Sequence, residues 1–304
     1  QGAKDVYAMA EYLGGSADVL RARPFVSCMI SWMVSPLTFD SAVTDLLTFW
    51  CQKGMPVALS SAPMAGSTSP VTLAGTIVQL NSEQLAGIVY SQLVRKGTPV
   101  LAGYVPGQMN LRNGVYLGGT TEDGLMQAVA AQMAQFYEVP LYCSAGMTDA
   151  KIPDQQAGYE KMMTLTLAAM SGASYIHHAF GMLENMNVVS YEQMILDNDI
   201  VMMVKRAMRG IAVDADHLAV DAIQRIGSGK NYLEDEHTLK FMRQELVYPR
   251  TADRNNRTRW IENGEMDARS RAAKIAQDLL QQESEPCLEV EQLAGIRKQY
   301  KVSL

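Results

Sequence analysis

Two adjacent histidines, His177 and His178, are the residues of this chain best suited to acid–base chemistry, because an unperturbed imidazole changes charge near neutral pH. They sit in a short apolar run, and the other chemistry-bearing residues follow similar runs. Trp32, Tyr104 and Phe180 offer ring faces, and Trp32 and Tyr104 read equally well as core aromatics. Asn110, Arg112 and Glu184 add an amide, a fixed positive charge and a carboxylate. Gly66, Ser67 and Ser69 belong to a segment that could hold an anion at a helix N-terminus, although capping alone accounts for the same residues. Adjacent residues of a strand point to opposite faces, so one histidine is expected on each side of its sheet. Cys143 lies inside an apolar run and reads more simply as a small core residue than as a nucleophile. The paired carboxylates of a glycosidase are missing from this set. So is a Cys/His spacing that would ligate zinc, and no GxGxxG or GxxxxGK[ST] follows a strand.

The elements that must position these residues alternate. Apolar stretches at 25–30, 57–60, 100–103, 141–144 and 175–180 read as strands. Helical patterns lie between and after them: 41–53 stopped by Gly54; Ser69 as N-cap and Pro70 as first residue of a helix to Arg95, with Gly97 beyond; 122–137; 153–171; and a capping box at 190–193 opening a helix to Arg209. Short strands without polar alternation suit a parallel sheet covered on both faces. That leaves a doubly wound sheet or a (β/α)8 TIM barrel, and the missing phosphate-binding glycines weaken the first. A barrel needs eight strands, and five are legible. Either three lie upstream of Gln1, or the count is short, or the sheet is open. Beyond Gly210 the pattern turns helical at 216–226, 236–246, 267–282 and 289–300, with a polar linker at 250–263 anchored by Trp260. The expected division is a barrel portion at 1–210, incomplete at its N-terminus, and a helical C-terminal extension at 211–304 packed on it.

Composition bounds the partners. Hydrophobic residues make up 48% and charged residues 19% of the 304 residues, a globular balance. The net charge of −6 disfavours nucleic acid and anionic membrane surfaces, which need clustered Lys and Arg. No apolar run approaches the roughly 18 residues of a membrane span. The four cysteines form no disulfide-like framework, so a cytoplasmic location is expected.

Two longer strings carry a resemblance. Residues 61–75, SAPMAGSTSPVTLAG, resemble an APMAGATAPVTLAG-type segment of the trimethylamine/glycine-betaine methyltransferase family. Residues 143–161, CSAGMTDAKIPDQQAGYEK, resemble a second segment of that family, roughly SGxTDAKxPDxQAGYEK. The similarity spans most of residues 1–250 in the order of the family's C-terminal part. The resemblance implies a (β/α)8 barrel and methyl transfer from a methylated amine to the cobalt of a corrinoid carried by a separate protein. It implies no tightly bound cofactor and no metal in the chain itself, and it leaves room for a homo-oligomer. Only the twenty standard residues occur, which resembles the non-pyrrolysine branch acting on quaternary amines such as glycine betaine.

Under this reading His177 and His178 are the candidate catalytic residues. Trp32, Tyr104, Asn110, Arg112, Phe180 and Glu184 are the candidate substrate holders, and Gly66, Ser67 and Ser69 face the corrinoid. Two other readings use the same residues. One is a barrel lyase or decarboxylase with a histidine as acid–base and Arg112 on a carboxylate. The other is a non-catalytic betaine-binding paralogue.

Overall fold

The computed structural model describes residues 2–283 and 285–300. Its centre is a parallel sheet of five strands: β1 (Cys28–Ser31), β2 (Val57–Ser61), β3 (Val100–Tyr104), β4 (Leu141–Ser144) and β5 (Tyr175–His177). Their order across the sheet is their order along the chain. A doubly wound sheet would reverse direction at a switch point; this one never does. It curls into a half-barrel.

Helices α3 (Ser41–Lys53), α4 (Leu73–Val94), α5 (Thr121–Phe136) and α6 (Gln155–Met170) connect successive strands, and α7 (Tyr191–Arg209) follows β5. Side-chain alternation assigns the two faces. Ile30, Leu59, Ala102 and Leu141 lie in one register row, all buried towards the helices. The next row, Ser31, Ser60, Gly103, Tyr142 and Tyr175, lies on the concave side. A β-carbon on Gly103 would run into the backbone of Leu59 on β2, so glycine permits the close approach of β2 and β3.

Local chemistry sets the helix ends. Asp40 accepts the Val43 amide at 2.8 Å to open α3, and Gly54 at φ 71° closes it, which is the expected helix. By contrast, α4 begins later than expected. Ser69 is not its N-cap: its hydroxyl meets the Thr76 hydroxyl at 2.9 Å, and Thr76 in turn bonds the Pro70 carbonyl. The cap position falls to Thr72, which makes no side-chain bond. Two helices that were not expected precede the sheet, α1 (Gly2–Gly14) and α2 (Ala17–Ala22). Only Tyr7 and Ala10 of α1 are buried. Tyr7 packs edge-on against Phe49 and Trp50 of α3.

After α7 come α8 (Ala215–Leu218), α9 (Val220–Ile226), α10 (Glu236–Glu245), α11 (Arg257–Glu262), α12 (Ala268–Leu280) and α13 (Val290–Gln299). The single helix expected at 216–226 is two, broken where Ala219 takes φ 53°. The expected linker at 250–263 contains α11. Helix α12 packs along α7. Asp199 of α7, itself buried, receives the Arg250 and Thr251 amides and the Thr251 hydroxyl at 2.6–3.1 Å. Gly103→Ala should lower the free energy of urea unfolding by about 1–3 kcal/mol through forced strand separation. An unchanged midpoint would contradict the close β2–β3 approach.

Candidate functional site

The C-terminal ends of β4 and β5 build one continuous patch on the concave side. Alternation brings Tyr142 and Ser144 of β4 level with Tyr175 and His177 of β5. Ala58, Ser60 and Gly103 leave the neighbouring floor shallow. Tyr142 crosses it, and its hydroxyl reaches both Met29 Sδ on β1 and, at 2.7 Å, His177 Nδ1. The rings of Tyr142 and Tyr175 stack with centroids 5.6 Å apart.

His178 departs from the expected alternation. The strand ends at His177, and His178 adopts φ 69°, a conformation that side chains other than glycine rarely take. Its ring therefore stays on the same side as His177, with centroids 3.7 Å apart, and its Nδ1 meets the Ser144 hydroxyl at 2.7 Å. The two imidazoles form a pair on one face, correcting the expectation of one on each side. A hydroxyl occupies Nδ1 of each ring, leaving Nε2 of each without a protein partner among the described residues. Burial lowers the pKa of His177. Burial first, and the neighbouring His177 second, bring His178 down to about 4. Both rings are therefore neutral at neutral pH.

A buried ion pair holds this patch. Lys161 of α6 and Asp197 of α7 meet at 3.0 Å, each 1% exposed. The lysine also donates to the Gly146 carbonyl just beyond β4, at 2.7 Å. The aspartate accepts the Gly181 amide beyond β5 at 2.7 Å and the Gln193 amide group at 2.8 Å. Burial pulls the lysine pKa down and the aspartate pKa up, and each partner opposes the shift of the other. Glu160 ties the same segment to itself, accepting the Thr148 hydroxyl and the Asp149 amide at 2.5 and 2.8 Å. Asp154 caps α6. The 143–161 string thus encodes a loop folded onto the start of its own helix.

The remaining candidates divide. Trp32 is fully buried and packs on Phe39 at 5.0 Å, and Gly87 of α4 lies so close that a β-carbon there would stand 2.7 Å from the indole. Tyr104 is also buried, on the helix side, donating to Asn81 Oδ1 at 2.7 Å. Both are packing aromatics behind the sheet. Phe180 lies half-exposed in the loop after β5. Glu184 begins a run of three residues with positive φ, Glu184, Asn185 and Met186, pinned where the Glu184 amide meets the Ala150 carbonyl.

Asn110 and Arg112 sit in the hairpin that pairs Gly107–Met109 with Tyr116–Leu117. The Asn110 side chain closes that turn by accepting the Arg112 amide at 3.0 Å, and Arg112 is exposed. Both line a cavity of about 860 Å³ beside Leu73 and Leu111. In the 66–69 turn, the amides of Ser67, Thr68 and Ser69 go to the Met64 carbonyl and that of Gly66 to the Ser69 carbonyl. This turn has no spare amide for an anion. Cys143 is buried on the helix side, its thiol pushed up to about 12 by burial and by Asp123, so it is a core residue and not a nucleophile at neutral pH. No described helix is long and apolar enough to cross a membrane. The sequence pattern did not single out Tyr142, Tyr175 or the Lys161–Asp197 pair. Counting back two residues from His177 would have placed Tyr175 on its face.

Two outcomes follow from this geometry. Lys161→Met should destabilise the chain by about 3–5 kcal/mol, because it strands a buried aspartate; urea unfolding showing a loss below about 1 kcal/mol would contradict the clamp. The second concerns pH. A histidine whose folded pKa lies below its unfolded value of about 6.5 takes up a proton on unfolding. Its stabilisation is full above about pH 6.5 and is lost as pH falls towards about 4. Unfolding midpoints compared at about pH 7 and about pH 5 should therefore fall less in His178→Gln than in the parent, and parallel losses would refute the assignment.

The sequence matches the family model described as "Trimethylamine methyltransferase (MTTB)" over residues 1–300. It is 38% identical to trimethylamine methyltransferase MttB of Desulfitobacterium hafniense over 278 residues, covering 91% of this chain and 55% of that protein. It is 35% identical to a glycine betaine methyltransferase of the same species over 95% of this chain and 60% of that protein. Trimethylamine methyltransferase MttB2 of Methanosarcina mazei is 40% identical over 94% of this chain and 57% of its own length. The chain thus spans little more than half the length of these curated relatives, and it belongs to the trimethylamine methyltransferase family.

Proposed function

We propose that this chain is part of a cytoplasmic enzyme that takes a methyl group from a quaternary or tertiary methylated amine, of the trimethylamine or glycine betaine kind, and delivers it to a corrinoid carried by a separate protein. Family membership supports the reaction class. The observation that carries the site is the patch at the ends of β4 and β5, where tyrosine rings and two imidazoles held neutral by burial meet, and where no lysine or arginine among the described residues pairs with them. A quaternary ammonium offers no N–H, so ring faces must hold it, and neutral imidazoles do not repel it. The corrinoid supplies a reduced cobalt nucleophile for the methyl group. The chain's own residues bind and orient the amine and keep water from it. Tyr142, buried and fixed by Met29 and His177, lies beneath the patch, and the exposed Tyr175 ring stacked on it offers a face to the amine. Phe180 and Glu184 stand on the loop at the rim.

The outer edges of β1 and β5 lack a strand partner among the described residues, and open edges of a buried parallel sheet call for cover. We take residues 1–210 as the larger part of a (β/α)8 barrel that upstream strands complete, with 211–304 as its helical extension. A lyase reading would need a histidine that exchanges protons near neutral pH, and burial lowers the pKa of both His177 and His178, which opposes it.

The test uses the full-length protein, a reduced corrinoid partner, and trimethylamine or glycine betaine, with methyl transfer followed in the visible spectrum of the partner. Tyr142→Ala and His177→Ala should each lower kcat/KM at least about tenfold, a loss of about 1.4 kcal/mol. Tyr104→Phe, behind the sheet, should not. Binding of the amine without transfer would support the non-catalytic paralogue instead.

A further inference from the structure

Behind the 107–117 hairpin, a cluster of oxygen atoms has too few protons to satisfy it. Asp123, in the first turn of α5, is fully buried. Its Oδ1 accepts the Gln127 side-chain amide at 3.2 Å, and its Oδ2 has no partner. Gln127 is equally buried; its amide nitrogen is spent on Asp123 and the Pro106 carbonyl, and its Oε1 has no partner. Asn185 gives its amide nitrogen to the Tyr116 carbonyl at 2.7 Å, and its buried Oδ1 is also unpaired.

Two further observations bring these groups together. Gly118 donates its amide to Asp149 Oδ1 at 3.2 Å, and a β-carbon on Gly118 would stand 2.6 Å from Asn185 Oδ1. The Tyr116 ring lies so close to Gly107 that a β-carbon there would stand 2.5 Å from it, next to the Pro106 carbonyl that Gln127 holds. Neither aspartate forms a salt bridge among the described residues; the exposed Lys151 ammonium goes to the Asp149 carbonyl.

Buried acceptors without donors are costly, and a buried carboxylate without a counter-charge more so. A water molecule would supply protons but no charge. A cation supplies both the missing interaction and the charge. All the available ligands are oxygens, the preference of a hard ion. No three His, Cys, Asp or Glu side chains among the described residues group as ligands for a metal ion, so neutral oxygens must complete the set, and a singly charged ion suits it better than Ca²⁺ or Zn²⁺. Burial, with Asp149 adding and the Gln127 amide opposing, holds the Asp123 carboxyl well above the usual range, and a bound cation would bring it back down.

We propose that Asp123, Gln127, Tyr116, Asp149 and Asn185 form a buried site for a monovalent alkali cation that locks the 107–117 hairpin to the strained 184–186 segment. Those two segments both follow strands at the mouth, so the ion orders the rim. This site is independent of the methyl-transfer reading and stands or falls separately.

Crystals of the full-length protein equilibrated with rubidium chloride test it directly. An anomalous peak in contact with Asp123 and Gln127 is expected; water-like density without anomalous signal overturns the proposal. In solution, potassium chloride should raise the melting midpoint over Tris chloride of equal ionic strength by about 2–4 °C, and Asp123→Asn should abolish the difference. Equal midpoints of the unaltered protein in the two salts would also overturn it, whether or not that variant folds.

Discussion

A lysine and an aspartate buried together between α6 and α7 govern the mouth of this half-barrel. Removing two charges from water costs several kcal/mol that their mutual attraction only partly returns, so stability alone does not explain the pair. Its remaining bonds do. Lys161 reaches the Gly146 carbonyl and Asp197 the Gly181 amide, and these glycines stand just beyond β4 and β5. One interaction thus sets the height and angle of two loops at once. Gly146 approaches Ala179 closely enough that a β-carbon would lie 3.0 Å from its Cα. The loops are packed against each other as well as tied, and His178 and Ser144 inherit their positions from that packing.

Much of the fold was legible because local chemistry and tertiary packing agree. Helix α3 runs over 41–53 and stops at Gly54 as expected, and 141–144 is strand β4 at both ends. Where they disagree, packing wins. Ser69 has the right chemistry for an N-cap, yet Thr76 competes for its hydroxyl and the helix starts beyond it. Helices α1 and α2 bury few residues, and neither was expected. The strand order could not be read from periodicity at all, since it depends on which edges meet.

Of the candidate site, the adjacent pair His177 and His178 could be picked out from the sequence, and most of the residues packed around them could not. Trp32 and Tyr104 follow or end strands, as ligand-holding residues do, but register decides which face a side chain takes. Tyr104 shares its row with Ser61 and Cys143, which face the helices. Tyr142 is one residue out of that row and faces the other way. The pairing of the two histidines depends on one backbone angle at His178, and nothing in the residue types announces a positive φ there.

The central claim is that a methylated ammonium sits against the neutral histidine pair on the concave face. The most direct measurement is nuclear magnetic resonance of the imidazole rings in the full-length protein, titrated with trimethylamine and with glycine betaine. His217 and His237 lie in α8 and α10, away from the patch, and serve as internal controls. The account predicts that the His177 and His178 signals move together on binding while those of His217 and His237 stay in place. Binding proven by calorimetry with the pair unmoved would contradict it.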